Sequence, residues 1–149
     1  MRAVLQRVTE ARVTVEGEVV GEIGPGIVVL LGVARDDTER DADYLAEKVA
    51  NLRVFEGPGG KLDRPIADVA GSGILVVPNF TICADARRGR RPDLASAARP
   101  EKAESLCDRF ASRAAAMGVR VATGRFGAHM HVELTNDGPV TLVVESPGR

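Results

Sequence analysis

Residues 27–33 read Ile27-Val28-Val29-Leu30-Leu31-Gly32-Val33. In an extended chain successive side chains point to opposite faces, so this run needs apolar cover on both sides. It predicts a strand at the centre of a sheet, bounded upstream by Gly24-Pro25-Gly26. Before it, Ala3 to Val8 is a short apolar stretch, and Val13 and Val15 alternate with Arg12, Thr14 and Glu16. That period of two marks half-buried strands. Glu16-Gly17-Glu18 predicts a hairpin turn, with Val19-Val20 returning.

After the central run the period changes. Asp36 and Glu39 have capping-box spacing, and Ala42, Leu45, Ala46, Val49 and Leu52 form one helical stripe. Residues 52–55 turn strand-like, Gly57-Pro58-Gly59-Gly60 is a loop, and residues 66–73 have no firm pattern. Gly73 to Val77 predicts a buried strand that must end, bulge or lie at an edge at Pro78, which has no N–H to donate. Residues 84–98 form a polar, arginine-rich loop. Pro100 opens a second helix with a stripe of Ala103, Leu106, Phe110, Ala114 and Met117, and Gly118 suits its end. Val119 begins another strand. Met130, Val132 and Leu134 alternate with His129, His131 and Glu133, residues 135–139 form a turn, and Val140, Leu142 and Val144 close the chain. The expected fold is α+β, with mostly antiparallel, barrel-like sheets and two packed helices.

At 149 residues the chain has the length of one domain, and residues 1–149 are expected to form a single one. Its 20 Lys and Arg against 21 Asp and Glu exclude a generally basic nucleic-acid coat, so any polyanion contact must be local. Aromatic residues are 3% of the chain, too few for a sheet that stacks several bases. No apolar block is long enough to span a membrane, and the first residues lack a secretory pattern. Cys83 and Cys107 have no metal-ligand spacing and predict free thiols in a reducing, cytosolic compartment.

The chemistry is sparse. There is no nucleophile elbow, phosphate loop or dinucleotide fingerprint, so no nucleotide cofactor is expected. His129, His131 and Glu133 share one face of a predicted strand and offer either a zinc site or a solvated polar face. Arg87, Arg88, Arg90 and Arg91 flank Gly89 and form either an anion patch or a wet loop. Thr81 is either a hydroxyl nucleophile, with no neighbouring base in sequence, or a strand threonine. Gly138-Pro139 is a plain turn by its residues, or a cis corner whose two carbonyls face one way.

Taken in order, several segments resemble the D-aminoacyl-tRNA deacylase family. They are Val4-Leu5-Gln6-Arg7-Val8, Leu30-Leu31-Gly32-Val33, Leu75-Val76-Val77 leading to Phe80-Thr81, and Gly89-Arg90-Arg91-Pro92. Thr123-Gly124-Arg125-Phe126-Gly127-Ala128, Met130 and Asn136-Asp137-Gly138-Pro139-Val140-Thr141 complete the set. The resemblance implies a cytoplasmic homodimer that acts on the acceptor end of aminoacyl-tRNA without cofactor or metal. It implies hydrolysis of the ester joining a D-amino acid to the terminal adenosine, with glycyl-tRNA as a second substrate.

The same resemblance gives Gly138-Pro139 the role of a Gly-cisPro element reaching into a partner's pocket, supported by Arg7. It places Phe80 and Thr81 at the catalytic site, Asn79 against the substrate, and Phe126 and Met130 near the adenine. Arg87, Arg88, Arg90 and Arg91 would then meet tRNA phosphates. The family usually has Ser-Gln before Phe-Thr, where this chain has Pro78-Asn79, and Ser-Phe where it has Asp93-Leu94. A related branch with relaxed stereospecificity also carries proline at the first of these places. Three readings follow: a chiral deacylase, a non-catalytic or relaxed tRNA-end binder, and a zinc hydrolase on His129, His131 and Glu133.

Overall fold

The computed structural model describes residues 1–148. β1 (Arg2–Val15) is one continuous strand where the pattern predicts two. Its pairing with the last strand slips between Gln6 and Val8 and again between Val8 and Glu10. These irregularities interrupt the alternation and hide the continuity. Glu16 and Gly17 take φ of 50° and 82°, the two left-handed positions of a tight hairpin turn, and lead into β2 (Glu18–Ile23).

β3 (Gly26–Gly32) pairs antiparallel with the first half of β1. Its side chains serve two cores. Ile27, Val29 and Leu31 lie beneath the helices, whereas Val28 joins Val8, Val13 and Leu75 inside the sheet's curl. The two-sided burial expected of this run is therefore present.

α1 (Glu39–Asn51) starts later than its predicted cap. Thr38 is the N-cap, and the Asp41 carboxylate accepts from the Thr38 backbone N–H at 2.8 Å and from its hydroxyl at 2.9 Å. Burial raises the Asp41 pKa, but hydrogen bonds from Thr38 and Ser146 outweigh it and hold the group down at about 2. Asp37, beside the predicted cap, binds the Met1 ammonium at 2.5 Å and the Ala34 N–H at 2.6 Å.

β4 (Phe55–Glu56) and β5 (Leu62–Arg64) form a small hairpin, and residues 66–68 make one 3-10 turn. β6 (Gly73–Pro78) then lies parallel to β3, since α1 and the hairpin carry the chain across as a crossover. A 3-10 turn at Phe80–Cys83 and the arginine loop precede α2 (Pro100–Ala116). β7 (Val121–Thr123) is parallel to β6, and β8 (His131–Glu145) runs antiparallel to β1 along nearly all of its length. The sheet is mostly antiparallel, with these two parallel pairs added.

The strand order is β2-β1-β3-β6-β7, with β8 on β1. β2 approaches β7 so closely that a Cβ on Gly21 would stand 2.3 Å from the Thr123 carbonyl oxygen. The sheet thus nearly closes into a barrel, and that seam requires a glycine. The two helices cover one side through Ala42, Leu45, Ala46 and Val49 of α1 and Leu106, Phe110 and Ala114 of α2. Arg109 bridges them to Glu39 and Asp43, each at 2.8 Å.

β8 passes through the predicted turn at 135–139 without breaking into two strands. The Gly138–Pro139 peptide within it is cis. Among the described residues no strand pairs with the outer edge of β8, where Val143 is 64% exposed and Leu142 39%. No helix among those residues is long and apolar enough to cross a membrane.

Candidate active site

The end of β6 builds the site. β7 pairs with β6 only as far as Val76, so Pro78 lies beyond that ladder. The Asn79 N–H makes the last bond of the parallel ladder, to the Leu31 carbonyl at 2.8 Å, and the Phe80–Cys83 turn follows directly. Two contacts from outside fix the turn's far end. Arg2 Nη1 donates to the Ile82 carbonyl at 3.2 Å, and the Ser96 hydroxyl donates to the Cys83 carbonyl at 2.6 Å.

This turn edges a cavity of about 590 Å³. Pro78, Asn79 and Phe80 line one side, Pro100, Ala103 and Cys107 of α2 another, and residues 126–130 with Val132 a third. The predicted residues Asn79, Phe80, Phe126 and Met130 therefore meet in one place, although Phe126 and Met130 lie about 50 positions downstream in the sequence. The wall is largely apolar, and its polar side chains are Asn79, His129 and the Cys107 thiol. Burial, reinforced by Asp108, pushes that thiol up to about 12, so it stays protonated.

Thr81 is next to the cavity but does not line it. Its exposed hydroxyl donates to Asn79 Oδ1 at 2.5 Å. Gly138 and Pro139 are also exposed and lie outside the cavity of their own chain. Arg7, 7% exposed, holds their corner from beneath. Its Nε donates to the Asp137 carbonyl at 2.9 Å and its Nη1 to the Val54 carbonyl at 2.7 Å, and the Asp137 carboxylate is 3.5 Å from Nε. Asn136 brackets the other side. Its amide donates to the Val140 carbonyl at 3.0 Å and accepts the Val140 N–H at 3.2 Å.

The four loop arginines differ. Arg87 makes a two-pronged pair with Asp85, with Nη2 to Oδ2 at 2.6 Å and Nε to Oδ1 at 2.9 Å. The hydrogen bond from Arg87 lowers the Asp85 pKa. Arg88, Arg90 and Arg91 are exposed and, among the described residues, enter no ion pair. A bridge between Asp85 and Asp93 closes the base of the loop.

The zinc arrangement does not assemble. Glu133 is ion-paired with Arg12 on the neighbouring strand, and the two histidine rings meet edge to face with centroids 5.1 Å apart. Among the described residues no group of three His, Cys, Asp or Glu side chains is placed to hold a metal.

Sequence patterning missed the wall supplied by α2, because Ala103 and Cys107 read as ordinary stripe or core positions. It also missed His129 as a lining residue. Pro100 was the available signal, since it places the start of a helix just after the arginine loop.

Residues 4–145 match the family model described as D-Tyr-tRNA(Tyr) deacylase. The chain belongs to this family. A D-aminoacyl-tRNA deacylase of Symbiobacterium thermophilum is 62% identical over 98% of this chain and 96% of its own. The one from Thermus aquaticus is 56% identical over 98% and 95%. A solved structure described as a c-Myc DNA unwinding element binding protein matches with a TM-score of 0.91 and 41% identity, over 99% of this chain and 100% of that one. A probable eukaryotic D-amino acid tRNA deacylase has a TM-score of 0.78 at 18% identity and shares the fold. In this deacylase-family chain the departure Pro78-Asn79 falls on the cavity wall itself, and Asp93 falls at the closed base of the arginine loop.

Proposed function

We propose that the protein is a one-domain cytosolic deacylase that hydrolyses the ester between a D-amino acid and the terminal adenosine of tRNA, and that it clears glycyl-tRNA as well. The observation that carries this reading is the largely apolar cavity shared by Asn79, Phe80, Phe126 and Met130, edged by the turn that bears Thr81. In it, Phe126 and Met130 take the adenine, and Asn79 and Phe80, at the turn that bears Thr81, take the aminoacyl ester.

Water adds to the ester carbonyl, the carbonyl-to-ribose oxygen bond breaks, the ribose oxygen leaves with one of the water's protons, and the amino acid departs as its carboxylate while the other proton passes to solvent. An aminoacyl ester is already activated, so positioning and main-chain N–H groups supply much of what is needed. The vicinal ribose hydroxyl assists the water, since the Thr81 hydroxyl is directed toward an amide oxygen, which is no base.

Selectivity comes from a second copy of the chain. Gly138 and Pro139 sit exposed, outside their own cavity, on a strand whose outer edge is unpaired among the described residues. In a homodimer this corner enters the partner's cavity, its carbonyls hold the α-ammonium, and an L side chain collides with the backbone. Arg88, Arg90 and Arg91 meet tRNA phosphates. Pro78 on the wall supports one further reading, a relaxed stereospecificity, because it withdraws a backbone donor from the pocket.

The test is turnover of D-tyrosyl-, L-tyrosyl- and glycyl-tRNA by the purified protein with chelator present. D-selective turnover that survives chelation is expected. Equal turnover of both enantiomers supports the relaxed reading, and absence of turnover on every ester sinks the enzyme.

A further inference from the structure

We infer that Thr81 acts only through Asn79: its hydroxyl locks the Asn79 amide so that Nδ2 donates to an oxygen of the bound aminoacyl ester. The inference rests on the deacylase reading for the identity of that ester. Three observations carry it. Thr81 Oγ1 donates to Asn79 Oδ1 at 2.5 Å, which commits the hydroxyl proton to an amide oxygen. Asn79 lines the cavity and Thr81 does not. Among the described residues Nδ2 of Asn79 has no protein partner, although the Asn79 backbone is pinned by its N–H to the Leu31 carbonyl at 2.8 Å.

An amide has two faces with different chemistry, an acceptor oxygen and a donor nitrogen. A hydroxyl that donates to the oxygen fixes which face looks the other way. Among the described residues Asn79 is the only side-chain amide in the cavity wall, and its polar companions there are His129 and a protonated, buried thiol. An acceptor on the ligand that reaches this wall therefore meets a pre-set N–H. Asparagine is one methylene shorter than glutamine, so its amide stays close enough to the main chain to be held by a hydroxyl two residues on. Thr81 is thus a positioning residue, and Asn79 is the group that touches substrate.

The experiment measures binding of a non-hydrolysable D-tyrosyl amide of 3′-amino-3′-deoxyadenosine, together with turnover of D-tyrosyl-tRNA. Thr81→Val removes the hydroxyl at nearly constant shape and is expected to weaken binding about 3–10-fold, the range of one neutral hydrogen bond. Thr81→Ser restores it. Asn79→Ala loses at least as much, and the double variant Asn79→Ala/Thr81→Val binds no worse than Asn79→Ala alone.

Multiplying losses in the double variant, a serine variant as weak as the valine one, no binding by the unaltered protein, or an acyl group trapped on Thr81 each overturn the inference. Binding by the unaltered protein without turnover defeats the enzyme reading and leaves the lock standing, provided the variants behave as described.

Discussion

Nε of Arg7 donates to the main-chain carbonyl of Asp137 at 2.9 Å, so a buried cation on β1 carries the residue immediately before the Gly138–Pro139 corner. The same guanidinium reaches the Val54 carbonyl, which ties the corner to the chain segment leaving α1. One planar fork thus sets the position of a surface feature from inside the core.

Arg7→Lys keeps the charge and removes the fork. A lysine ammonium at that depth cannot satisfy both carbonyls in the same geometry, so stability is expected to fall by about 1–3 kcal/mol. Urea unfolding measures it, and the ratio of D- to L-tyrosyl-tRNA turnover should fall in parallel. A variant with unchanged midpoint and unchanged ratio would mean the corner does not depend on this residue.

Replacing both Arg88 and Arg90 by alanine should weaken tRNA binding and lower the slope of log affinity against log salt by about 1–2, given roughly 0.7–0.9 per phosphate contact. Arg87→Ala should change the slope less, since that side chain is already paired with Asp85. Equal slopes for all the variants and the parent would return these arginines to solvent.

Phe110 is fully buried between α2 and the sheet. Truncation to alanine is expected to cost about 3–5 kcal/mol, enough to lower the melting temperature by many degrees. A calorimetric shift of only a degree or two would show that the helix layer closes over the gap.

Asp41 predicts an acid limb. Its folded pKa of about 2 lies below the ordinary carboxylate value, so its contribution is complete above about pH 4 and disappears as the pH falls toward 2. The loss is on the order of 2 kcal/mol. Asp41→Asn should therefore unfold with a flatter dependence between pH 4 and 2. An identical slope in parent and variant would place the acid sensitivity elsewhere.

The central strand was legible because burial on both faces leaves a local mark at every position of 27–31. The arginine loop, Pro78 as a strand end and Pro100 as a helix start were legible too, since each depends on one residue's own backbone chemistry. The parallel pairing of β3 with β6 was not, because it is decided by where α1 and the β4–β5 hairpin deliver the chain. The cap of α1 was misplaced by two residues because Asp36 and Glu39 match the same spacing as Thr38 and Asp41, and only the fold chooses between them. In the candidate site, Asn79 and Phe80 were singled out through the motif they share, and both lie on the cavity wall. Ala103 and Cys107 were invisible, since a helical stripe looks the same whether it faces a core or a cavity.

With Gly138 and Pro139 lying outside their own chain's cavity, the proposed exchange of corners makes catalysis a matter of mass action. Under that proposal a separated subunit would keep the wall assigned to the adenine and would lose its chiral filter. On dilution past the dissociation constant of the pair, turnover per molecule would fall and L-esters would begin to be cleaved, so fidelity would depend on how much of the protein a cell maintains.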